Sequence, residues 1–189
     1  MKITAFVGSP RKEGNTARLV REIIAGALEA GAKTEIIHLV DKKINPCRSC
    51  HNCREHENCL IDDDMQEMYL KIHESDGLII ASPVYMWQMS SQTKTFVDRL
   101  VALLDPEFAP RLKSVKPTIL AFTQGQPVTN SFNSYFKHTA GMLKMLGLDV
   151  TKVLIAGGTR GIDDIEQHKD VLKKARAAGK ALAATVKKL

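Results

Sequence analysis

Short apolar runs alternate along this chain with longer segments whose apolar residues recur at helical spacing, and this alternation restricts the possible folds most. Five runs have the length and composition of buried strands, at residues 2–7, 34–39, 78–81, 118–123 and 150–156. Helices are expected over about 15–30, from 63 or 64 onward, 90–104, 131–146, and from a capping-box pattern at Asp163 and Glu166 to the end. This repeated strand–helix order predicts an α/β doubly wound fold. We expect a five-stranded parallel sheet in the order 2-1-3-4-5 with helices on both faces.

The composition is ordinary for one folded unit. The chain has 189 residues, 44% hydrophobic and 25% charged, with no linker or repeat, so we expect a single domain over 1–189. No apolar run is long enough to cross a bilayer and the first residues lack a leader pattern, which predicts a cytoplasmic protein without membrane contact. Aromatic residues make up only 5% and do not alternate with basic ones, so nucleic-acid binding is not expected.

The first strand leads into a loop of small, polar and basic residues, from Gly8 to Thr16, and then into a helix. The unpaired N–H groups and dipole of a helix start suit an anion. A P-loop is disfavoured because five residues separate Gly8 from Gly14 and Asn15 occupies the lysine position, and the dinucleotide fingerprint is absent. The pattern predicts a site for one terminal phosphate. Its candidate ligands are Ser9, Arg11, Asn15 and Thr16. The alternative is a polar turn that binds nothing.

Flat and polarisable side chains are concentrated in the loop expected at 82–87, after the third strand. Pro83, Tyr85, Met86 and Trp87 are suited to stacking on a flat heterocycle. The loop after the fourth strand contains Gln124 and Gly125, and the glycine permits close backbone approach to a ligand. Met86, Trp87 and Met89 could instead pack against the next helix. Together with the phosphate loop, these residues favour a ligand that has both a ring and a phosphate.

All four cysteines lie within residues 47–59, in a polar insertion at about 41–62. In the expected cytoplasmic setting structural disulfides are unusual, whereas four thiolates bind zinc or an iron–sulfur cluster. The spacing of Cys47, Cys50, Cys53 and Cys59 favours a [4Fe–4S] cluster over zinc. His51 and His56 are alternative zinc ligands or simply exposed side chains.

Three motifs together resemble the NADPH-dependent FMN reductase family of flavodoxin-like proteins. They are the loop Gly8–Thr16, the run Ser82-Pro83-Val84-Tyr85, and Lys94-x-Phe96-x-Asp98-Arg99. The resemblance implies a flavodoxin-like fold with FMN as cofactor, its phosphate bound by Ser9, Arg11, Asn15 and Thr16. It implies ring contacts from Pro83, Val84, Tyr85, Met86, Trp87, Gln124 and Gly125. Lys94, Asp98 and Arg99 are expected to have structural or interface roles.

The cysteine insertion resembles that of the iron–sulfur flavoproteins, a branch of the same family. The resemblance implies a [4Fe–4S] cluster on Cys47, Cys50, Cys53 and Cys59 that exchanges electrons with FMN, and a homodimer or homotetramer. The implied donors are NAD(P)H or a ferredoxin-like protein, and the acceptors are quinone or oxygen species. No catalytic side chain is expected, because the flavin carries the chemistry.

Three other interpretations stay open at this point. One is a cluster-free NAD(P)H-dependent FMN or quinone reductase with incidental or regulatory thiols. Another is a zinc-stabilised flavodoxin-like binding module. The third is a sensor that binds a phosphate ligand without turnover. The preference for NADH or NADPH is also open, because no arginine cluster marks a site for a 2′-phosphate.

Overall fold

The computed structural model describes residues 1–189, and its strands form one sheet. Five strands run parallel in the order β2-β1-β3-β5-β6, with β1 at Lys2–Val7, β2 at Lys33–His38, β3 at Gly77–Tyr85, β5 at Lys116–Thr123 and β6 at Leu148–Ala156. A two-residue strand, β4 at Gln88–Met89, pairs antiparallel with the end of β3. The predicted fold class and the 2-1-3-4-5 order of the parallel strands are therefore confirmed.

Helices cover both faces of the sheet, as predicted. Their bounds are α1 Asn15–Glu29, α2 Asn52–His56, α3 Met65–Glu74, α4 Ser91–Arg99, α5 Asn133–Met145 and α6 Lys169–Val186. Because successive strand residues point to opposite faces, Ala5 packs in the core beneath α1 and α6, whereas Phe6 packs beneath α3, α4 and α5. None of these helices combines the length and hydropathy needed to cross a membrane.

Helices α1 and α6 approach each other backbone to backbone at two glycines. A Cβ atom at Gly179 of α6 would overlap the carbonyl oxygen of Ile23, and one at Gly26 of α1 would overlap the carbonyl oxygen of Arg176. Only glycine permits this approach. The contact fixes α1, whose first turn lies at the phosphate loop.

The prediction of a loop over residues 82–87 is wrong for residues 82–85. β3 continues beside β5 as far as Pro83 and then pairs with β4, so Ser82–Tyr85 are strand. Met86 and Trp87 form the tip of this hairpin with φ angles of 44° and 66°. A two-residue hairpin turn with positive φ at both positions normally selects Asn or Gly, so this Met-Trp pair gives no local signal for it.

The capping box predicted at Asp163 and Glu166 is also wrong. Asp163 makes no capping hydrogen bond, and α6 begins at Lys169, after a 3₁₀ turn over Asp164–Gln167. Asp164 instead fixes the turn that precedes it, because its Oδ2 accepts the N–H groups of Arg160 and Gly161. The helix predicted over 90–104 similarly ends at Arg99 and continues as a 3₁₀ turn.

Candidate functional site

The loop after β1 is shaped by its own serine. The Ser9 hydroxyl accepts the N–H of Arg11 at 3.1 Å and is 3.2 Å from the carbonyl oxygen of Arg11, to which it donates. No side chain caps the N-terminus of α1, and its first turn contains no acidic residue. The positive end of α1 is therefore free to bind an anion beside this loop.

A second group of hydroxyls holds this loop against the start of α4. Ser90 Oγ donates to the carbonyl oxygen of Gly8 at 2.5 Å and lies 2.8 Å from Thr93 Oγ1. A Cβ atom at Gly8 would overlap Thr93 Oγ1, so glycine is required there. Ser90 and Thr93 were not predicted as part of the site, because nothing local marks a contact between positions more than 80 residues apart.

Two adjoining cavities occupy the carboxyl edge of the sheet. The first, about 310 Å³, is polar and is lined by Ser9, Arg11, Gly14, Asn15, Thr16, Pro83, Val84, Tyr85, Thr123, Gly125, Thr159 and Arg160. The second, about 200 Å³, is lined by Val84, Met86, Trp87, Gln124, Gly125, Gln126 and Phe132. Every residue predicted for the phosphate or the ring lines one of them. Thr159 and Arg160 lie beyond β6 and were not predicted.

Two predicted phosphate ligands have side chains already engaged within the protein. Asn15 Nδ2 donates to the carbonyl oxygen of Gly161 at 2.6 Å, and its Oδ1 accepts the N–H of Ile165 at 3.0 Å. Thr16 Oγ1 lies 2.6 Å from Thr123 Oγ1. These contacts join the start of α1 to the ends of β5 and β6, so both residues shape the cavity.

The hairpin tip presents its large side chains to solvent. Met86 is 80% exposed and Trp87 is 64% exposed, whereas Met89 is buried. The alternative that Met86 and Trp87 pack against the next helix is therefore excluded in this structure, and only Met89 fills that role. Positive φ at non-glycine residues costs about 1–3 kcal/mol each and is concentrated at functional sites. The tip provides aromatic and thioether surface at the mouth of the second cavity.

Gln124 shapes the loop after β5. Its Nε2 donates to the carbonyl oxygens of Gln126 at 3.0 Å and Val128 at 2.9 Å, and the residue is buried. Its Oε1 has no donor partner. The side chain therefore holds the loop open around Gly125, whose backbone lies at the junction of the two cavities.

The four cysteines form no disulfide, and they line one small enclosed cavity of about 20 Å³. No three Cys, His, Asp or Glu side chains are arranged to hold a single metal ion. The donor set has the chemistry of a tetrathiolate site, but the cavity that these residues line has room for about one water molecule. Cys47 and Cys50 are exposed, and their segment 43–51 contains no helix or strand. His51 and His56 are exposed.

A buried arginine connects this insertion to α4. Arg99 is 1% exposed and forms two hydrogen bonds with Asp63, at 2.7 and 3.2 Å. It also donates to the carbonyl oxygen of Asn45 at 2.8 Å and to Cys59 Sγ at 3.3 Å. Arg99, the last residue of the Lys94–Arg99 motif, thus has the structural role predicted for it.

The thiols are close enough to affect one another electrostatically. Burial raises the pKa of Cys53, and the thiolates of Cys59, Cys47 and Cys50 raise it further. Four negative thiolates in one apolar pocket repel each other strongly, and bound metal offsets this repulsion. The pocket is therefore suited to protonated thiols or to thiolates bound to a metal, rather than to four unbound thiolates.

The sequence profile of the NADPH-dependent FMN reductase family matches residues 1–159, which is most of the chain. The chain belongs to this family. The match includes the loops after β1, β3 and β5, so the predicted resemblance is confirmed. The matched region ends at Thr159, immediately before Arg160.

Curated proteins that resemble this chain include iron–sulfur flavoproteins. One from Methanocaldococcus jannaschii is 48% identical over 99 residues, covering 52% of this chain and 51% of the relative. One from Methanosarcina thermophila is 40% identical over 113 residues, covering 60% of this chain and 59% of the relative. The match thus spans about half the length of these relatives. A putative NAD(P)H-dependent FMN-containing oxidoreductase of Bacillus subtilis is 24% identical over 178 residues, covering 89% of this chain and 91% of the relative.

Solved structures of related fold cover nearly the whole chain. An FMN-dependent NADH-azoreductase from Bacillus anthracis has a TM-score of 0.75 at 16% identity, covering 97% of this chain and all of that one. An NAD(P)H:quinone oxidoreductase from Methanothermobacter marburgensis has the same TM-score and identity, covering 96% of each chain. At this identity the likeness establishes the fold alone.

The residues at the carboxyl edge fit FMN, the cofactor that gives the family its name. FMN has a dianionic phosphate at one end and a flat ring at the other. The polar cavity has two arginines and an uncapped helix start, and the adjoining cavity has Met86, Trp87 and Phe132. The two cavities together have a volume typical of small-molecule sites.

Proposed function

We propose that this chain is an FMN-dependent oxidoreductase. The phosphate of FMN binds at the loop after β1, and its ring lies between the β3–β4 hairpin and the loop after β5. The observation that carries the proposal is the pair of adjoining cavities at one sheet edge, one cationic and one lined by aromatic and thioether groups. In a doubly wound sheet this edge, where the strand order reverses between β1 and β3, is the expected ligand site.

Bound FMN supplies the redox chemistry, since it accepts and releases a hydride or single electrons. The chain's own residues bind and orient it. Ser9 and the start of α1 position the backbone donors for the phosphate, and Arg11 adds charge. Trp87 and Met86 cover part of the ring. No side chain at this edge needs to transfer a proton.

We further propose that Cys47, Cys50, Cys53 and Cys59 hold a [4Fe–4S] cluster that exchanges electrons with FMN. Three observations support this: the ligand spacing, the meeting of all four thiols at one cavity, and the similarity to iron–sulfur flavoproteins. The small volume of the cavity favours the alternative, a cluster-free NAD(P)H-dependent FMN or quinone reductase. A zinc-stabilised module without flavin is disfavoured, because the two cavities at the carboxyl edge of the sheet fit FMN.

Electron partners follow from this assignment. We propose NAD(P)H or a ferredoxin-like protein as donor, and a quinone or oxygen species as acceptor. Met86 and Trp87 at the hairpin tip are exposed, so a second flat molecule can reach them from solvent. Stopped-flow reduction of the bound flavin by NADH, NADPH or reduced ferredoxin identifies the donor.

We also propose that the protein forms a homodimer or homotetramer. An apolar groove of about 410 Å³ between α4 and α5 supports this, with Val97, Val101, Met142 and Met145 among its lining residues. Apolar surface of this kind is typical of an interface. Light scattering coupled to size-exclusion chromatography measures the oligomer directly.

An anaerobic ultraviolet–visible spectrum of freshly purified protein, with iron and sulfide assayed on the same sample, tests both assignments. Flavin bands over a broad shoulder, with about four irons per chain, support an iron–sulfur flavoprotein. Flavin bands without iron support the cluster-free reductase. Protein that neither contains FMN nor binds it when added contradicts the proposed function.

Replacing Arg11 with Ala is expected to weaken FMN binding by about 10- to 100-fold, because charge-assisted phosphate contacts contribute about 1.5–3 kcal/mol. Quenching of FMN fluorescence on titration measures the change. Lys12→Ala is the matched control, since Lys12 pairs with Asp41 and does not line the cavity. Equal affinities for the two variants would contradict the phosphate assignment.

Replacing Cys50 with Ser is expected to remove the iron–sulfur absorbance and most of the iron while leaving bound FMN unchanged. The thiol is exposed and lies outside both flavin cavities, so its loss leaves those cavities intact. Loss of FMN together with iron would mean that the insertion supports the flavin site. Unchanged iron would contradict the role of Cys50 as a ligand.

A further inference from the structure

The loop after β6, residues 157–165, forms part of the wall of the phosphate cavity. Thr159 and Arg160 line this cavity together with Ser9 and Arg11. The Thr159 N–H and hydroxyl donate to the carbonyl oxygen of Gln124, at 3.0 and 3.1 Å. The cavity therefore has two guanidinium groups, from loops almost 150 residues apart in sequence.

Asn15 fixes the position of this loop. Its Nδ2 donates to the carbonyl oxygen of Gly161, and its Oδ1 accepts the buried N–H of Ile165. Asp164 completes the turn by accepting the N–H groups of Arg160, at 2.9 Å, and Gly161, at 2.6 Å. Both polar ends of the Asn15 side chain are thus bonded to residues that follow Arg160.

The Arg160 side chain has a defined course but no ionic partner. Its Nε donates to the carbonyl oxygen of Gly125 at 3.2 Å, and a Cβ atom at Gly125 would lie 3.2 Å from Arg160 Cγ. No carboxylate lies within 4.0 Å of its guanidinium, nor of that of Arg11. Arg18 and Arg176, by contrast, pair with glutamates. Two unpaired positive charges in one cavity repel each other, and a dianion relieves that repulsion.

We propose that Arg160 is a second guanidinium ligand of the phosphate that Arg11 binds, and that Asn15 is the positioning residue for Arg160. This inference rests on the proposed function and goes beyond it in two respects. It adds a ligand from outside the region matched by the family profile. It also gives the Asn15 side chain an indirect role, through the loop after β6, in place of direct phosphate contact.

Riboflavin provides the matched probe, because it has the ring of FMN and lacks the phosphate. Dissociation constants for FMN and riboflavin are measured for the wild type, Arg160→Gln and Arg160→Lys. We expect Arg160→Gln to lower the preference for FMN over riboflavin by about tenfold, the value of one charge-assisted contact, with riboflavin affinity unchanged. Arg160→Lys should restore part of the preference, since the charge remains. Arg176→Gln removes the same charge far from the cavity and should leave the preference unaltered.

A double-mutant cycle tests the role of Asn15. Asn15→Ala alone should lower the FMN preference, because the Arg160 loop loses two hydrogen bonds. In the Arg160→Gln background the same change should have little further effect on the preference, since coupled residues are not additive. A full additional loss there would show that Asn15 contacts the phosphate independently and would overturn its positioning role.

The outcomes separate this inference from the proposed function. A wild-type protein that binds neither flavin overturns both. A wild-type protein that prefers FMN, with the same preference in Arg160→Gln, overturns the role of Arg160 and leaves the proposed function intact. An Arg160→Gln variant that raises only the KM for NADPH also overturns it, because Arg160 would then bind the nucleotide substrate.

Discussion

Replacing Arg99 with Met is expected to lower the free energy of unfolding by about 3–5 kcal/mol, the usual cost of leaving one partner of a buried ion pair uncompensated. The Asp63 side chain is 3% exposed and receives both of its side-chain ionic bonds from Arg99. The variant also loses the hydrogen bonds to Asn45 and Cys59, which hold both ends of the cysteine insertion. We therefore expect loss of bound iron together with loss of stability.

Denaturant unfolding at pH 7 measures the change, and Lys94→Met provides the comparison. Lys94 lies on the same helix and pairs with Asp98 at 2.5 Å, but both side chains are about half exposed. Its loss should cost less than about 1 kcal/mol, because exposed ion pairs contribute little. Equal destabilisation by the two substitutions would mean that the buried pair does not stabilise the fold.

The effect of Arg99→Met should depend on pH in one direction. Burial raises the pKa of Asp63, but hydrogen bonds from Arg99 and from the N–H groups of Asn45 and Met65 outweigh burial and leave this pKa below its ordinary value. A carboxyl group with a lowered folded-state pKa stabilises the protein above its unfolded pKa, and this contribution is lost as the pH falls through the folded value. The difference between wild type and Arg99→Met should therefore be full at pH 7 and shrink below about pH 4.

Replacing Gly179 with Ala is expected to cost about 3 kcal/mol or more, because the added methyl group overlaps the backbone of the facing helix. The overlap is with the carbonyl oxygen of Ile23 in α1, and a backbone atom cannot move aside as a flexible side chain does. The two helices must separate. Since α1 starts at the phosphate loop, we also expect weaker FMN binding.

Gly141→Ala is the matched control for this substitution. Gly141 lies within α5, and apart from the backbone of its own helix and its chain neighbours no atom lies within 4 Å of the position that its Cβ would take. Alanine there should raise the free energy of unfolding by about 0.5–1 kcal/mol, because glycine is a poor residue for a helix interior. Thermal or denaturant unfolding distinguishes the two. Equal effects of the same sign would show that the α1–α6 approach is not tight.

The parallel strands were predictable because their signal is local. A short apolar run between turn residues marks a buried strand, and its periodicity requires no knowledge of distant residues. The hairpin at Met86 and Trp87 was not predictable in this way. Those residues disfavour positive φ, and β4 forms only because Gln88 and Met89 pair with the end of β3. Asp163 has the spacing of a capping box, yet the competing bonds of Asp164 to Arg160 and Gly161 decided the turn.

The sequence by itself determined that the loops after β1, β3 and β5 share one edge of the sheet, because parallel strands all end on the same side. It also placed four thiols within a few residues of each other. Tertiary structure alone decided which side chains remain free for a ligand. Asn15 finds its partners 146 and 150 residues away, Arg99 finds Asp63 across the insertion, and Arg160 reaches the cavity from the last β–α loop. The physical reason is that a hydrogen bond depends on distance in the folded chain, and no local pattern encodes that distance.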